Sequence, residues 1–209
     1  MDTYKTIATP CEGVFTEKRS KFIAMAFPVT TLDEIKEHLA VCQKKYFDAR
    51  HVCYAYMLGH ERTNFRANDN GEPSGTAGRP ILGAINSREL TDILVVVVRY
   101  FGGIKLGAGG LVRAYSSSVA ENLDGADIRV LEMCAERTIE VDYTGIDGVQ
   151  KYISSHTCSL LSTDYGAAVR FLVAVKKAQA DAFCEELVDY MQGRVKIEKG
   201  AEYYAPFKE

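Results

Sequence analysis

Asp69 and Glu72 stand three residues apart at the head of a glycine-rich run, DNGEPSGTAGRP over residues 69–80. Two carboxylates at that spacing could share a metal ion or work as an acid–base pair. The same run carries Ser74, Thr76 and Arg79. A second run, RYFGGIKLGAGGLVR over residues 99–113, sets Arg99, Tyr100, Lys105 and Arg113 among Gly102, Gly103, Gly107, Gly109 and Gly110. The four cations flanking the runs, Arg79, Arg99, Lys105 and Arg113, could converge on an anion, and arginine suits bidentate contacts to phosphate. Equally, Arg99 and Arg113 could pair with Asp69 or Glu72 and tie the two loops together. Tyr100 and Phe101 could stack on a base or fill core. His51 and His60 could reach Ser74 or Thr76 only through the fold, so a nucleophile–histidine–acid triad is unsupported. His38 falls on the polar side of a helix and His156 near a helix end, where a cation suits the dipole, so neither points to a metal.

Glycine at this density is tolerated where the backbone must turn with positive φ or approach another group closely. The alternative is a pair of tight turns that simply pack together. A strand, then glycines, then a helix invites a nucleotide reading, because a helix N-terminus offers free N–H groups to phosphate. The fingerprints fail in detail. Counting from Gly107 and Gly109, the third glycine of a dinucleotide motif would fall at Val112, and no GxxxxGK[ST] occurs in the chain. No cofactor is expected; generic phosphate or carboxylate binding at this turn remains open.

The elements that must position these residues follow from periodicity. Alternation over Thr3 to Phe15 and over Lys21 to Phe27 predicts a hairpin. Thr31, with Glu34 three residues on, opens a capping box before Leu32, Ile35, Leu39 and Cys42, a helix ending near Tyr46. His51 to Leu58 reads as a strand and Glu61 to Asn70 as a polar loop. A helix over Thr76 to Ser87 has Pro80 near its first turn. The apolar, β-branched stretch from Asp92 to Tyr100 fits a central strand covered on both faces. Leu111, Ala114, Tyr115, Ser118, Val119 and Asn122 mark one side of a helix over Gly109 to Leu123, stopped by Gly125. After Met133 the pattern restarts: strand Arg137–Tyr143, helix Gly145–Thr157, strands Ser159–Tyr165 and Ala168–Val175, helix Gln179–Met191, strand Arg194–Tyr203. That order, βαββαβ, is the split-βαβ or ferredoxin-like arrangement. A boundary near residue 134 gives two domains, 1–134 and 135–209.

With 47% apolar and 25% charged residues among 209, the composition is that of a globular protein with a real core. No apolar run approaches the roughly 20 residues that cross a bilayer, and the N-terminus lacks a secretion signal, so a cytoplasmic protein with no membrane partner is expected. Six cysteines without a CxxC read as reduced, mostly buried thiols. The net charge of −3 argues against a generally basic nucleic-acid binder, yet residues 44–113 hold ten Lys and Arg against six Asp and Glu. Residues 135–209 hold nine against twelve. The glycine loops therefore lie in the basic part of an acidic chain.

The runs DNGEPSGTAGRPIL at 69–82 and VVVVRYFGGIKLGAGGLVRAY at 95–115 closely resemble those of the YigZ/IMPACT family. The match is gapless within each block, unlike common nucleotide motifs, and extends over essentially the whole chain. The resemblance implies an α+β protein. Its first domain would be an α/β sandwich of the type seen in ribosomal protein S5 domain 2, and its second a ferredoxin-like domain similar to those of translation factors. Eukaryotic relatives are linked to control of translation under amino-acid starvation, through a regulator of an initiation-factor kinase and with an added N-terminal RWD domain. This chain begins directly with the shared domain, so that partner is not implied here. No catalytic residue is implied either; the motif residues carry over only as a functional surface.

Two functions fit. One is a binding module for RNA, the ribosome or a translation-associated protein, with the basic glycine loops as its face. The other is an enzyme or sensor for a small phosphorylated or carboxylated ligand held on the loop N–H groups, with Asp69 or Glu72 as acid–base candidates.

Overall fold

The computed structural model describes residues 2–207. The chain divides into two compact units, Thr3–Arg129 and the stretch from Val130 onward. Helices and antiparallel sheets mix in both, an α+β protein.

The first unit runs β1 (Thr3–Ile7), β2 (Cys11–Glu17), β3 (Ser20–Pro28), α1 (Leu32–Lys45), β4 (His51–Leu58), β5 (Asn64–Asn68), α2 (Gly78–Ser87), β6 (Ile93–Tyr100) and α3 (Gly107–Asp124). Its sheet has the order β2-β3-β6-β4-β5, antiparallel at every pairing. The β6 run is apolar at every position from Ile93 to Val98 because both faces are covered. Successive side chains point to opposite sides of a strand. Ile93, Val95 and Val97 therefore join Ile81 and Ile85 of α2 and Leu111, Tyr115 and Val119 of α3 in one core. Leu94, Val96 and Val98 join Ile35 and Cys42 of α1 in another. The same alternation carries Arg99 toward the α2/α3 side at the end of β6, where it pairs in register with Phe22 and His51.

The capping box of α1 forms: Glu34 N donates to Thr31 Oγ1 at 3.2 Å, and Thr31 N donates to Glu34 Oε2 at 3.2 Å. The opening alternation is two strands rather than one, separated near Pro10, which has no N–H to give a ladder. β2 and β3 then close through Lys18 and Arg19, whose φ values of 45° and 65° give the turn twist that two-residue hairpins favour. β1 adds Ile7 to the core, and Thr6 Oγ1 donates to the Asp92 carbonyl. The stretch expected as a polar loop holds β5, an edge strand paired with β4. An edge strand needs backbone partners on one side only, so its largely exposed NFRAN sequence carries no apolar alternation. Gly125 follows α3 with φ −92°, so the helix stops without a left-handed turn.

The second unit takes most of β7 (Ile128–Val141), then α4 (Ile146–Ser155), β8 (Cys158–Tyr165), β9 (Val169–Lys176), α5 (Ala180–Tyr190) and β10 (Lys196–Ala205). β7 lies between β10 and β9, with β8 beyond β9, all antiparallel. Ile139, Val141, Phe171 and Val173 face Tyr152 of α4 and Phe183 and Leu187 of α5 in one core. Among the described residues no helix is long and apolar enough to cross a membrane. All six cysteines are free.

Candidate functional site: a basic cleft at the end of the central strand

The two glycine-rich runs close the same end of the first sheet but use their helix starts differently. In the first run the chain fills its own helix N-terminus. Asp69 Oδ1 accepts from Ala77 N at 2.9 Å and Gly78 N at 2.8 Å, and its Oδ2 accepts from Gly75 N at 2.8 Å. Partial burial opposes ionisation of Asp69. The amides of Gly75, Gly78 and Ala77 outweigh it and hold the carboxyl below the usual aspartate range. Thr76 is buried and donates to the Pro73 carbonyl at 2.7 Å, while Ser74 and Arg79 lie exposed. Gly78 allows the close approach: an added Cβ would sit 2.6 Å from Asn68 N.

Glu72 turns the other way. Its Oε1 accepts from Arg99 Nη1 at 2.7 Å and from the Tyr115 hydroxyl at 2.9 Å, joining the loop to β6 and α3. The side chains of Arg99 and Glu72 are only 8% and 3% exposed. Arg99 Nε is buried with no partner, and the guanidinium lies 5.7 Å from the ring centres of both Phe22 and Phe101. Beneath them Cys53 Sγ is 3.3 Å from the Tyr115 hydroxyl. Burial, with Cys53 and Glu72 beside it, raises the Tyr115 phenol far above its ordinary value, and burial pushes the Cys53 thiol up to about 12. Neither is a nucleophile at neutral pH.

The second run leaves its helix start open. Leu106, at the N-cap of α3, makes no side-chain capping bond, and Gly107, Ala108 and Gly109 of the first turn are exposed. Gly103 and Gly107 hold φ of 85° and 71°, left-handed values that favour glycine. Gly102 is required by packing, since an added Cβ would fall 2.0 Å from the Arg19 backbone. These features enclose a cleft of about 620 Å³. The Arg99–Glu72 pair lies at its wall, with Phe101, Lys105 and the first residues of α3 on one side and Asp48, Arg50 and His51 on another. Arg50 and Lys105 have no ion pair among the described residues. Tyr100 donates to Asp48 Oδ1 at 2.7 Å, and that bond, with partial desolvation, pushes its phenol up to about 12.

Of the residues singled out in the sequence, Glu72, Arg99, Tyr100, Lys105 and Gly107 line the cleft. Asp69 and Thr76 build its supporting loop, while Gly110 and the exposed Gly109 and Arg113 continue along α3. Ser74 and Arg79 are not among the lining residues. Asp48, Arg50 and the Tyr115 hydroxyl escaped the sequence reading, which weighed His51 only as a partner for Ser74 or Thr76. The signal for His51 was the β4–β6 register, which sets it beside Arg99 and requires pairing knowledge. Among the described residues no group of three or more His, Cys, Asp or Glu is placed to hold a metal. The arrangement offers charge, free amides and an aromatic face, which together suit the binding of an anion with a planar group attached.

Family models match both units: residues 18–123 match the Impact N-terminal domain and residues 139–194 the domain of unknown function DUF1949. The chain therefore belongs to the IMPACT family. It is 34% identical over 200 residues to the IMPACT family member YvyE of Bacillus subtilis, covering 96% of this chain and 92% of that protein. With the member YigZ of Escherichia coli it shares 31% identity over 94% of this chain and 98% of the relative. A crystal structure described as that of a hypothetical protein aligns with TM-score 0.64 and 31% identity, over 94% of this chain and 97% of the other.

Proposed function

We propose that the protein is a cytoplasmic, translation-associated binding module that holds RNA through the phosphate groups it meets at the cleft of the first unit. The observation that carries this reading is the unpaired state of Lys105 and Arg50 beside the open amides of α3, in a wall whose two carboxylates are already engaged, Glu72 by Arg99 and Tyr115 and Asp48 by Tyr100. Cations without internal partners around free N–H groups favour phosphate. The link of eukaryotic IMPACT relatives to translation supports RNA as the phosphate source, and free cysteines suit a reducing compartment. The order β10-β7-β9-β8, with both helices on one face, supports a ferredoxin-like second unit. Resemblance supports an S5 domain 2 type for the first.

The test is binding of the purified protein to ribosomal RNA fragments at low and moderate salt, with Lys105→Ala alongside. Affinity that falls with salt, and falls further in the variant, is the expected result. No binding at low salt removes the reading.

One observation favours a second function. A cleft of about 620 Å³ has the size of a small-molecule pocket, so a phosphorylated or carboxylated metabolite could be the ligand of a sensor or enzyme. A melting-temperature rise with one metabolite class, absent with RNA, would select it.

A further inference from the structure

We infer that the cleft takes a single unstacked nucleotide of single-stranded RNA, its phosphate on the first turn of α3 beside Lys105 and its base against Phe101. This rests on the RNA reading above and specifies which form of RNA the site accepts.

Phe101 is 57% exposed at a strand end, where an aromatic ring contributes little to a core. The Arg99 guanidinium, itself held by Glu72, lies 5.7 Å from its centre and gives the ring a fixed neighbour. A ring beside a cation and left open to solvent can serve as a stacking platform. Arg99 is more than nine-tenths buried and its charge is met by Glu72, but its Nε is unpartnered, leaving one guanidinium donor behind the platform without a protein acceptor.

Gly109 points to the phosphate. Its φ is not left-handed, and an added Cβ would meet only Arg113 Nη1, at an ordinary 3.6 Å. Neither backbone nor packing requires glycine there, and glycine is a poor helix former. Gly109 directly follows the lining residues Gly107 and Ala108 in the first turn of α3, and its missing side chain leaves the amides of that turn uncovered, as close backbone approach to a phosphate demands. A base and phosphate side by side match one nucleotide. The cleft volume of about 620 Å³ suits one such unit, and a duplex keeps its bases stacked inside, away from Phe101.

The experiment compares one RNA sequence as a single strand and as a duplex, at fixed salt, for the unaltered protein and for Phe101→Ala, Gly109→Ala and Lys105→Ala, with melting curves of each. The single strand is expected to bind more tightly than the duplex. Phe101→Ala should weaken it about tenfold with the salt slope unchanged. Lys105→Ala should reduce that slope by about 0.7, the value for one phosphate contact on a single strand. Gly109→Ala should weaken binding while the melting temperature holds or rises. Equal affinity for duplex and single strand, with Phe101→Ala and Gly109→Ala binding normally, overturns the nucleotide site and leaves RNA binding standing. Absence of binding to either form at low salt overturns both.

Discussion

A single oxygen of Glu72 receives both Arg99 and Tyr115, so one carboxylate in a loop fixes the end of the central strand and the middle of α3 at once. Replacing it strands a buried guanidinium. Glu72→Ala should destabilise the protein by about 3–5 kcal/mol, the cost of leaving one member of a buried pair alone. Adding Arg99→Met to that variant should recover part of the loss. Urea unfolding of the two single variants and the double variant checks this, and strictly additive losses would contradict the coupling.

Asp69 sets an acid limit. Its carboxyl is held below its unfolded value, so its contribution is complete above the ordinary aspartate range near 3.9 and is lost as pH falls through the lowered folded value. Asp69→Asn should therefore flatten the acid limb of stability against pH. Asp69→Ala should cost about 1–2 kcal/mol at neutral pH, as for a lost helix cap. Melting curves of the three proteins from neutral to acid pH give the answer.

Cys53 works at the opposite limit. A thiol raised to about 12 when folded favours the native state at pH below its unfolded pKa, and this contribution is lost as pH rises through that value toward 12. Cys53 should thus stay unlabelled by a thiol reagent at mildly alkaline pH until denaturant opens the fold. Mass spectrometry of the labelled peptides reads this directly, and rapid native labelling would show that the thiol is neither buried nor raised.

Two glycines of the second run, one before α3 and one in its first turn, should respond in opposite ways. Gly102→Ala drives a Cβ into the Arg19 backbone and should cost at least about 1–3 kcal/mol, as overpacking does. Gly109→Ala meets no such obstacle and should leave stability unchanged or raised. Thermal unfolding separates them.

Much of the framework was written locally in the chain. The β6 run announces a strand covered on both faces, and Thr31 with Glu34 announces a helix start, because burial and capping act within a few residues. β5 was hidden, since edge pairing leaves no side-chain pattern. The cleft was legible only in part. Both glycine runs look alike in composition, yet one helix start is closed by Asp69 and the other is open, a difference decided by where a carboxylate folds back. His51 reaches the cleft through strand pairing across some fifty residues, and Asp48 and Arg50 come with it from the segment just before β4, a placement no local spacing encodes.

The Gly102 α-carbon rests on the backbone of a hairpin turn whose two residues, Lys18 and Arg19, both hold positive φ. Such a surface turn would ordinarily be chosen for inserting a tag or an affinity label. Here the turn and the cleft rim form one mechanical piece. A graft at Lys18 and Arg19 would disturb the rim while the sheet beneath stayed intact, leaving a folded protein with an altered cleft.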